Sequence, residues 1–439
     1  MKKAMLIKNG RIIDPSQNMD VSGSLSIKDG RISWLGGKDE TPPSSNYETL
    51  DAKGLVVCPG FIDMHCHLRQ PGYEEKETIA SGSRAAAKGG FTTICCMPNT
   101  NPAIDSKAMI DYVKSTASAE AAIRVLPIGC ITKKSAGIEL AEMGEMAEAG
   151  AIAFSDDGMP VLNSRIMSQA MEYSLAFGLS VIDHCEDTSL SEGGFMNEGI
   201  VATRLGLCGI PAATEENIVS RDIALAEFTG ARLHIAHAST AGTLELIRQA
   251  KNNGVNITAE ATPHHLTLTE DRVIGYDTNA KVNPPLRAKK DVEALVQGLK
   301  EGVIDIIATD HAPHTASEKL CEFSLAPFGI SGFETALGSL MSLVHNKRIG
   351  LNALIACLTS KPAKIIGERF GKLGTLAVGV NADITIFDPN LEWTVDTSEF
   401  VSRGKNSPLN GEKLKGKVMV TIYNGKFAYK DESLAVVSK

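Results

Sequence analysis

Short apolar runs alternate with Ala-rich helical segments along the middle of the chain. Eight such runs fall between residues 55 and 312, and each ends in polar residues: LVVCPGFIDMHCH, FTTICCMPN, IRVLPIGC, AIAFSDD, LSVIDHCED, RLHIAHAS, NITAEATPHH and VIDIIATDHAP. Strands that alternate with helices predict an α/β protein with a parallel sheet, and eight repeats predict a closed (β/α)8 TIM-type barrel. A doubly wound open sheet is the alternative, but no GxGxxG follows the first run.

The two ends of the chain have a different pattern. Residues 3–35 and 374–430 contain short alternating segments such as LIKNGRIIDP, GSLSIKDGRISWLG, ADITIFDP and VTIYNGKFAYK. Asn-Gly and Asp-Gly between apolar runs are typical of hairpin turns. The sequence therefore predicts a barrel over 56–370 and a small β-sandwich-like domain built from 1–55 and 371–439. Segment 313–331 lacks periodicity and follows the eighth strand, so we expect it to be an active-site loop.

Composition and charge narrow the possible partners and compartments. The 439 residues are 43% apolar and 22% charged, with a net charge of −8, which is typical of a globular protein. No block of five basic residues occurs, which argues against a nucleic-acid partner. The N-terminal apolar run stops at Lys8 and no run of about 18 apolar residues exists, so we expect neither an export signal nor a membrane span. Nine scattered cysteines, with Cys95 and Cys96 adjacent in a core strand, favour reduced thiols and a cytoplasmic location.

The rarest polar side chains fall where the predicted strands end. In chain order they are His65 and His67, Asn99, Asp156 and Asp157, His184, His237, and finally Asp310, His311 and His314. The carboxyl ends of barrel strands meet at one rim, so we expect these side chains to converge. Because strand side chains alternate between faces, His65, His67 and Arg69 share one side and Cys66 points away.

Four histidines and two carboxylates at one rim form a nitrogen and oxygen ligand set that suits zinc or a similar divalent ion. Six ligands exceed the needs of one tetrahedral site. We therefore expect two metal ions, about 3.5–4 Å apart and bridged by a carboxylate. Such a pair holds a hydroxide that is nucleophilic near neutral pH.

The remaining histidines and one acidic run have less direct interpretations. His234 lies inside the sixth strand and is predicted to be structural. His264 and His265 close the seventh strand, where they are expected to support the site indirectly or to pack a loop, and His345 is expected on the surface. The run Glu74–Glu77 is predicted to be a solvated helix start.

Eight motifs together connect the chain to a known family. FIDMHCHLRQPG, GGFTTICCMPNTNP, AFSDDG, DHCED, HIAHAST, EATPHHLTLT, KVNPPLR and ATDHAPHT occur in this order. As a set they resemble the dihydroorotases of the amidohydrolase superfamily, of the longer bacterial type, over essentially the whole chain. The resemblance implies zinc-dependent, reversible cyclisation of N-carbamoyl-L-aspartate to L-dihydroorotate in pyrimidine synthesis.

The resemblance also implies roles for individual residues. It implies that one zinc ion is bound by His65, His67 and Asp310, that a second is bound by His184 and His237, and that Asp157 bridges them. Asp310 is also implied to be the catalytic acid and base. The implied substrate contacts are His67, Arg69, Asn99, Asn283, His314 and the backbone of Phe328 and Gly329. The residue pattern alone leaves Asp156 and Asp157 open, because strand ends often bulge, and the resemblance favours Asp157.

One departure and two alternatives bear on this interpretation. Many amidohydrolases bridge their metals with a carboxylated lysine, and AIAFSDDG contains no lysine. An aspartate bridge predicts that the second zinc site is partly empty after purification. The alternatives are a hydantoinase or allantoinase-like amidase, and a non-catalytic partner of aspartate transcarbamoylase. Arg69 and the complete ligand set argue against them. A homodimer is expected, and a complex with aspartate transcarbamoylase is a further option.

Overall fold

Two short parallel sheets lie at the centre of the molecule. The computed structural model describes residues 4–38, 40, 47–434 and 436–438. One sheet has three strands, Phe61–Cys66, Phe91–Cys96 and Arg124–Pro127. The other has five, Ala153–Phe154, Ser180–Asp183, Leu233–Ile235, Ile257–Ala261 and Ile306–Ile307. Each of these strands lies within one of the eight predicted apolar runs.

Backbone bridges join the edges of the two sheets at both ends. Gly129 pairs in parallel with Phe154 at one end, and Cys66 pairs in parallel with His311 at the other. The amide of Asp310 donates to the carbonyl of His65 at 2.9 Å, and the amide of His67 donates to the carbonyl of His311 at 2.8 Å. The first and last strands are therefore neighbours, and the eight strands direct their carboxyl ends to one face, here called the rim.

Helices connect the parallel strands and cover their outer side. The larger ones are Ile79–Lys88, Lys107–Glu120, Met143–Ala149, Ser164–Leu175, Ala213–Thr229, Ala241–Asn252, Lys289–Glu301, Ala336–His345, Leu351–Leu358 and Ser360–Ile366. Shorter helices are Thr188–Ser191, Ile200–Leu205, Pro263–Thr267 and Ala316–Lys319, and the small sheet Met196–Asn197 with Gly209–Ile210 lies in the connection after the fifth strand. Local capping fixes the first helix, because Thr78 and Ser81 form a reciprocal capping box.

Strands from both ends of the chain pair in one nine-stranded sheet. Its main path runs in the order Lys426–Lys430, Lys413–Tyr423, Ile384–Thr394, Val56–Pro59, Ala4–Asp14, Met19–Lys28 and Arg31–Gly37. Tyr47–Asp51 also pairs with Ala4–Asp14, and Val436–Ser438 pairs with Tyr47–Asp51. Hydroxyl groups tie this sheet to the parallel core, since Thr421 donates to the carbonyl of Ala87 at 2.6 Å and Thr385 donates to that of Gly90.

The predicted turns in the terminal segments have two different outcomes. Asp29–Gly30 and Asn424–Gly425 form hairpin turns in which both residues have positive φ, 51° and 79° in the first and 49° and 71° in the second. Asn9–Gly10 does not form a turn, contrary to the expectation. It forms a bulge within the continuous strand Ala4–Asp14, where a Cβ on Gly10 would lie 2.6 Å from Cγ2 of Val57.

The first apolar run is divided between the two sheet systems. The sequence pattern treats LVVCPGFIDMHCH as one strand, but Val56–Pro59 pairs with Ile384–Phe387 in the nine-stranded sheet. Phe61–Cys66 then begins the parallel core. Gly60 lies between them, and a Cβ at this position would approach Oγ1 of Thr92 to 2.1 Å. A glycine is required there because the two sheets separate against a neighbouring strand.

The adjacent residues Cys95 and Cys96 are buried in the core, as predicted. Within the part of the chain that the structure describes, no helix has both the length and the apolar character needed to cross a bilayer.

Candidate active site

Two histidines of the first strand face two aspartates across the rim. Nε2 of His65 lies 3.3 Å from Oδ1 of Asp157, and Nε2 of His67 lies 3.1 Å from Oδ1 of Asp310. Nε2 of His67 is also 3.5 Å from Oδ2 of Asp157. All four side chains are buried. The alternation predicted for His65 and His67 therefore brings both Nε2 atoms to the same carboxylates.

Two further histidines also lie close to Asp157. Nε2 of His237 lies 3.6 Å and Nδ1 of His184 lies 3.8 Å from Oδ1 of Asp157. The same two ring nitrogens are 2.9 Å from each other. Asp157 is therefore the residue around which the four imidazoles are arranged: His65, His184 and His237 approach its Oδ1, and His67 approaches its Oδ2.

The cluster has the donor set and the unsatisfied atoms expected of a cation site. Nε2 of His65 and Oδ1 of Asp157 are buried without a hydrogen-bond partner among the described residues. His65, Asp157 and His237 each place one ligand atom within 4.8 Å of the other two. His65, His67 and Asp310 form a second group of the same kind. Buried polar atoms are rarely left unpaired, so both groups fit a divalent metal ion.

Positive charge on the surrounding imidazoles keeps the two carboxylates of the cluster ionised. Burial alone raises the pKa of Asp157, but the nearby charges of His65 and His67 and the close approach of the His237 ring outweigh burial, so the pKa lies well below its ordinary value. Burial likewise raises the pKa of Asp310, but the hydrogen bond from His67 and the charge of His65 lower it further than burial raises it. Both carboxylates are therefore ionised and available to a cation.

Asp156 and Asp157, which the residue pattern leaves open, have different environments. Oδ1 of Asp156 accepts hydrogen bonds from the amides of Ile131 and Thr132 at 2.8 and 3.1 Å, and Oδ2 accepts from the Thr132 hydroxyl. Asp156 therefore stabilises the loop after the third strand, and its oxygens are already satisfied. Only Asp157 of this pair faces the four imidazoles.

Glu260, inside the seventh strand, orients His65 of the first strand. Oε1 of Glu260 lies 2.6 Å from Nδ1 of His65, and Oε2 lies 3.0 Å from Nε2 of His234. Nδ1 of His234 is 2.8 Å from the hydroxyl of Thr258, which confirms that His234 is structural. With Nδ1 of His65 held by a carboxylate, Nε2 is left as the free ligand atom. The charges of His65 and His234 and their hydrogen bonds overcome burial and lower the pKa of Glu260 to about 2.

A buried aspartate holds the first and eighth strands in register beneath the cluster. Asp63 accepts hydrogen bonds from the amide and hydroxyl of Thr309 at 2.8 and 2.6 Å, and from the amide of His65 at 3.3 Å.

Three residues of the rim adopt backbone conformations rare for residues with a side chain: φ is 60° for Arg69, 31° for His237 and 46° for Asp310. Such strained conformations persist where surrounding contacts fix them, and they concentrate at functional sites.

A cavity of about 170 Å³ opens above the cluster. Its lining comprises His67, Arg69, Asn99, Asp157, Gly158, His184, His237, Val282, Asn283, Asp310, Ala312, Phe328 and Gly329. Of the residues predicted for the site, only two do not line the cavity: His65, which is the fully buried member of the cluster, and His314, which lies beside Arg69. A cavity of roughly 150 Å³ accommodates a six-membered ring, so this space suits a small cyclic compound.

The cationic side of the cavity is built from the first strand and the loop after the eighth. Nε of Arg69 donates to the carbonyl of Pro313 at 3.2 Å, and one terminal nitrogen lies 3.4 Å from Nε2 of His314. Nε2 of His314 in turn donates to the carbonyl of Phe328 at 2.8 Å. Burial and the charges of Arg69 and Lys319 lower the pKa of His314 to about 3. His314 is therefore neutral and positions the loop against the guanidinium.

At another part of the cavity wall, Glu186 connects His184, a candidate metal ligand, to Asn283, a predicted substrate contact. Oε2 of Glu186 lies 3.0 Å from Nε2 of His184 and 2.9 Å from Nδ2 of Asn283, which donates to it. Asn99 has a parallel role at the first strand, since its Oδ1 is 2.9 Å from Nδ1 of His67. These contacts leave Nδ1 of His184 and Nε2 of His67 directed at Asp157.

Three side chains outside the cluster, Glu77, His265 and His345, differ in how well they match their predicted environments. Glu77 is fully buried, contrary to its assignment to a solvated run: it accepts from Ser81 and Ser402 at 2.5 and 2.6 Å and lies 3.4 Å from Nε2 of His311. His265 packs as expected, bonded to Thr262 and the carbonyl of Pro284. His345 is exposed, as predicted.

Two buried acids and one buried thiol form a further group outside the cavity. This group differs from the histidine cluster because an arginine lies beside it. Asp183, Cys185 and Asp222 are buried with ligand atoms within 4.8 Å of one another. A terminal nitrogen of Arg221 already lies 2.7 Å from Oδ1 of Asp222 and 3.7 Å from Oδ2 of Asp183. A guanidinium therefore supplies the positive charge that a metal would bring, and this group is not a metal candidate.

The residues that the sequence analysis missed are the acids that support the ligands. Asp63 shares the strand face of His65 and His67 by alternation, and Glu260 is a carboxylate within the apolar run ITAEA. Both are acidic residues in segments predicted to be buried, which is the signal that could have identified them. Glu186 carried no comparable signal, because its contact with Asn283 joins residues 97 positions apart.

Comparison with known proteins gives a consistent family result. A sequence model described as "Dihydro-orotase-like" matches residues 54–243. The dihydroorotase of Citrifermentans bemidjiense is 52% identical over 426 residues, covering 97% of this chain and 99% of that protein. The dihydroorotase of Pelotomaculum thermopropionicum is 51% identical over 432 residues, with 97% and 99% coverage.

Solved structures with a similar fold are cyclic amidases. L-hydantoinase (dihydropyrimidinase) from Arthrobacter aurescens superimposes with a TM-score of 0.87 at 26% identity, covering 98% of this chain and 97% of that one. D-hydantoinase (dihydropyrimidinase) from Thermus sp. gives a TM-score of 0.82 at 26% identity, with 99% and 97% coverage. The α/β architecture is thus shared along the whole chain.

The contact between Glu260 and His65 leads to a prediction about metal retention. Replacing Glu260 with Gln removes the negative charge that orients His65 and raises its basicity, so we expect metal affinity to fall about 10- to 100-fold. Metal content per chain after dialysis against a graded chelator series measures the change. Glu245→Gln, at an exposed helix position, is the matched control. Retention equal to that of the unchanged protein would show that Glu260 only packs.

Proposed function

The chain belongs to the dihydroorotase family, and on that premise we propose that it catalyses the reversible, metal-dependent cyclisation of N-carbamoyl-L-aspartate to L-dihydroorotate in pyrimidine synthesis. The observation that carries this proposal is the position of Arg69 in the same cavity as the metal-type cluster. A cyclic ureide that bears a carboxylate needs both a group that activates its ring amide and a cation that binds its carboxylate.

We assign the ligands as the distances suggest. His65, His67 and Asp310 would hold one divalent ion, His184 and His237 would hold a second, and Asp157 would bridge them. Zinc is the ion proposed, because neutral imidazoles with carboxylates are its usual ligands. When bound, the metal supplies a nucleophile from water near neutral pH and polarises the carbonyl under attack.

The protein's own residues account for the proton transfer. In ring opening, Asp310 accepts a proton from the attacking water and delivers it to the ring nitrogen that leaves. Its ionised state, maintained by His67 and His65, makes it a proton acceptor at neutral pH. Ring closure follows the same path in reverse, with Asp310 taking the proton from the attacking ureido nitrogen.

Substrate orientation is assigned to the walls of the cavity. Arg69 binds the ring carboxylate with charge-assisted hydrogen bonds, which are stronger than those between neutral groups. Asn99 and Asn283 lie on opposite sides of the cluster and bind the polar edges of the ring. His314 and the backbone at Phe328 and Gly329 complete the carboxylate end. His67 contacts substrate in addition to its ligand role.

We further propose the finer organisation of the chain. The two parallel sheets, joined at both edges, are interpreted as one closed (β/α)8 barrel over about 56–370, and residues 1–55 and 371–439 as the accompanying β-domain. Val56–Pro59 belongs to that β-domain by its pairing. A homodimer, a complex with aspartate transcarbamoylase and a cytoplasmic location stay predictions from the sequence.

A hydantoinase is the second candidate, because the similar solved structures are hydantoinases. Hydantoins and dihydropyrimidines without a carboxylate give Arg69 no partner, and its charge would be desolvated without compensation. The dihydroorotase relatives share about twice the identity of the hydantoinases, at 52% against 26%. Turnover of hydantoin without turnover of dihydroorotate would favour this second candidate.

Metal removal is the first test of the proposal. We expect the purified protein to hydrolyse dihydroorotate, to lose turnover after chelation and to regain it with zinc. Metal analysis alongside the assay is expected to give between one and two ions per chain, since an aspartate bridge lacks the reach of a carboxylated lysine. Two ions that survive mild chelation would contradict the partial occupancy, and turnover that survives complete metal removal would contradict the mechanism.

Asp310→Asn tests the proton transfer. The amide cannot accept the proton, so we expect kcat to fall at least about 10²-fold, as is usual when a general acid-base group is lost. Metal content and thermal unfolding should be measured with the rate, so that a lost ligand is recognised. Asp271→Asn, at an exposed position, is the control. Near-normal turnover would show that another group handles the proton.

Arg69→Met tests the carboxylate contact. Loss of a charge-assisted pair of hydrogen bonds is expected to raise KM about 10- to 100-fold, while the metal content stays unchanged. Steady-state kinetics with dihydroorotate for ring opening and with N-carbamoyl-L-aspartate for ring closure measure the split between KM and kcat. Arg165→Met removes an exposed arginine and should leave KM unchanged. An unchanged KM in the Arg69 variant would show that this arginine is structural.

A further inference from the structure

Two lysines near the cavity are buried without a carboxylate partner. Lys281 is 2% exposed and Lys319 is 5% exposed. No ion pair involving either ammonium group is present among the described residues. Burying an unpaired ammonium group is costly, so two of them in one place require an explanation that the cluster and Arg69 do not supply.

Lys319 is bonded entirely to backbone carbonyls from two segments. Its Nζ donates to the carbonyls of Thr278, Lys281 and Pro327 at 3.0, 3.5 and 2.7 Å. An ammonium group has three N–H donors, and here each has one acceptor. Lys319 therefore joins the loop after the eighth strand to segment 278–281, which leads directly to Asn283.

Lys281 makes the reciprocal connection. Its Nζ donates to the carbonyls of Phe323 and Ser324 at 2.8 and 2.9 Å. The same ammonium lies 4.7 Å from the ring centroid of Phe328 and 5.0 Å from that of Phe195, within the range of cation–π attraction. The backbone carbonyl of Lys281 also accepts a hydrogen bond from the amide of Gly329 at 2.9 Å.

These contacts end at the carboxylate side of the cavity. Phe328 and Gly329 line the cavity, and the Phe328 carbonyl accepts from His314, which lies beside Arg69. The positive charge of Lys319 also reaches this side, because it contributes with burial and Arg69 to lowering the pKa of His314. The two lysines thus affect both the position of the loop and its electrostatic potential.

Resting on the dihydroorotase activity proposed above, we propose that Lys281 and Lys319 are positioning residues for the substrate carboxylate. Their ammonium groups fix segment 323–329 against segment 278–283, so that Phe328, Gly329 and His314 are held in place around the carboxylate that Arg69 binds. They also add positive charge beside that anion, which favours carboxylated ureides over neutral ones. Neither lysine contacts the reacting atoms.

The burial of both groups agrees with this role. Burial lowers the pKa of Lys281 to about 8, and burial together with the charge of Lys281 lowers that of Lys319 to about 7. Burial and the mutual repulsion of the two amino groups thus disfavour their charged forms, and a bound carboxylate nearby would favour those forms. The arrangement is consistent with an anionic ligand at the carboxylate side.

Kinetics of Lys281→Met and Lys319→Met test the proposal. Each change is expected to raise KM for dihydroorotate about tenfold or more, with kcat within about threefold and metal content unchanged, because the cluster is not altered. Lys289→Met removes an equal charge at an exposed position, 82% exposed, and is expected to leave KM unchanged. An unchanged KM in both buried variants, or an equal rise in the Lys289 variant, overturns the proposal.

Amide hydrogen exchange gives a second measurement that needs no turnover. Exchange in segment 320–330 is expected to become about tenfold faster in the buried-lysine variants and to stay unchanged in helix Ser164–Leu175. Unchanged exchange in 320–330 overturns the anchoring even if the unsubstituted protein fails to hydrolyse dihydroorotate, which would itself refute only the proposed activity.

Conservative variants cover the case in which methionine prevents folding. Lys319→Arg retains the charge and several donors, whereas Lys319→Gln retains an N–H donor on a side chain one atom shorter but loses the charge. KM near that of the unsubstituted protein for Arg and raised for Gln supports the charge-dependent role. Equal KM for the two folded variants contradicts it.

Discussion

The arrangement of this protein depends on one electrostatic constraint: buried imidazoles and carboxylates at the rim require a cation between them. Asp157 is surrounded by ring nitrogens of four histidines at 3.3 to 3.8 Å, and one of its oxygens has no hydrogen-bond donor among the described residues. Burial without compensation would neutralise such acids. Here the surrounding histidines keep Asp157 and Asp310 ionised, so the fold maintains negative charge where a divalent ion would bind.

Support for these candidate ligands comes from two carboxylates and one amide placed one layer further out. Glu260 fixes Nδ1 of His65, Asn99 fixes Nδ1 of His67, and Glu186 fixes Nε2 of His184. Each contact decides which ring nitrogen remains free for the metal. The register of the parallel strands matters for these contacts, because Glu260 on the seventh strand must lie level with His65 on the first. Asp63 fixes the first strand against the eighth by accepting hydrogen bonds from Thr309.

The substrate side uses cations in an equivalent way. Arg69 is fixed by the carbonyl of Pro313, and the loop beyond it is fixed by Lys281 and Lys319 through backbone carbonyls. The molecule therefore separates its charges: the acids of the candidate metal site and Arg69 line one cavity, and the two buried lysines bind the loop that brings Phe328 and Gly329 to it. A ureide that carries its own carboxylate is complementary to both the candidate metal site and Arg69, whereas a neutral ring is complementary only to the first.

The sequence by itself determined the features that depend on local order. Eight apolar runs identified eight parallel strands, and alternation placed His65 and His67 on one face, because the side-chain period of a strand is fixed by its backbone. Hairpin turns at Asp29–Gly30 and Asn424–Gly425 followed from residue type in the same way. The residue pattern left Asp156 and Asp157 open; the family resemblance favoured Asp157, and the tertiary structure places that residue among the imidazoles. Only the tertiary structure placed Val56–Pro59 in the other sheet and buried Glu77. It also revealed the contacts of Glu260, Lys281 and Lys319. Each of these depends on which distant segment lies opposite, and that is decided by packing between elements rather than by the pattern within one.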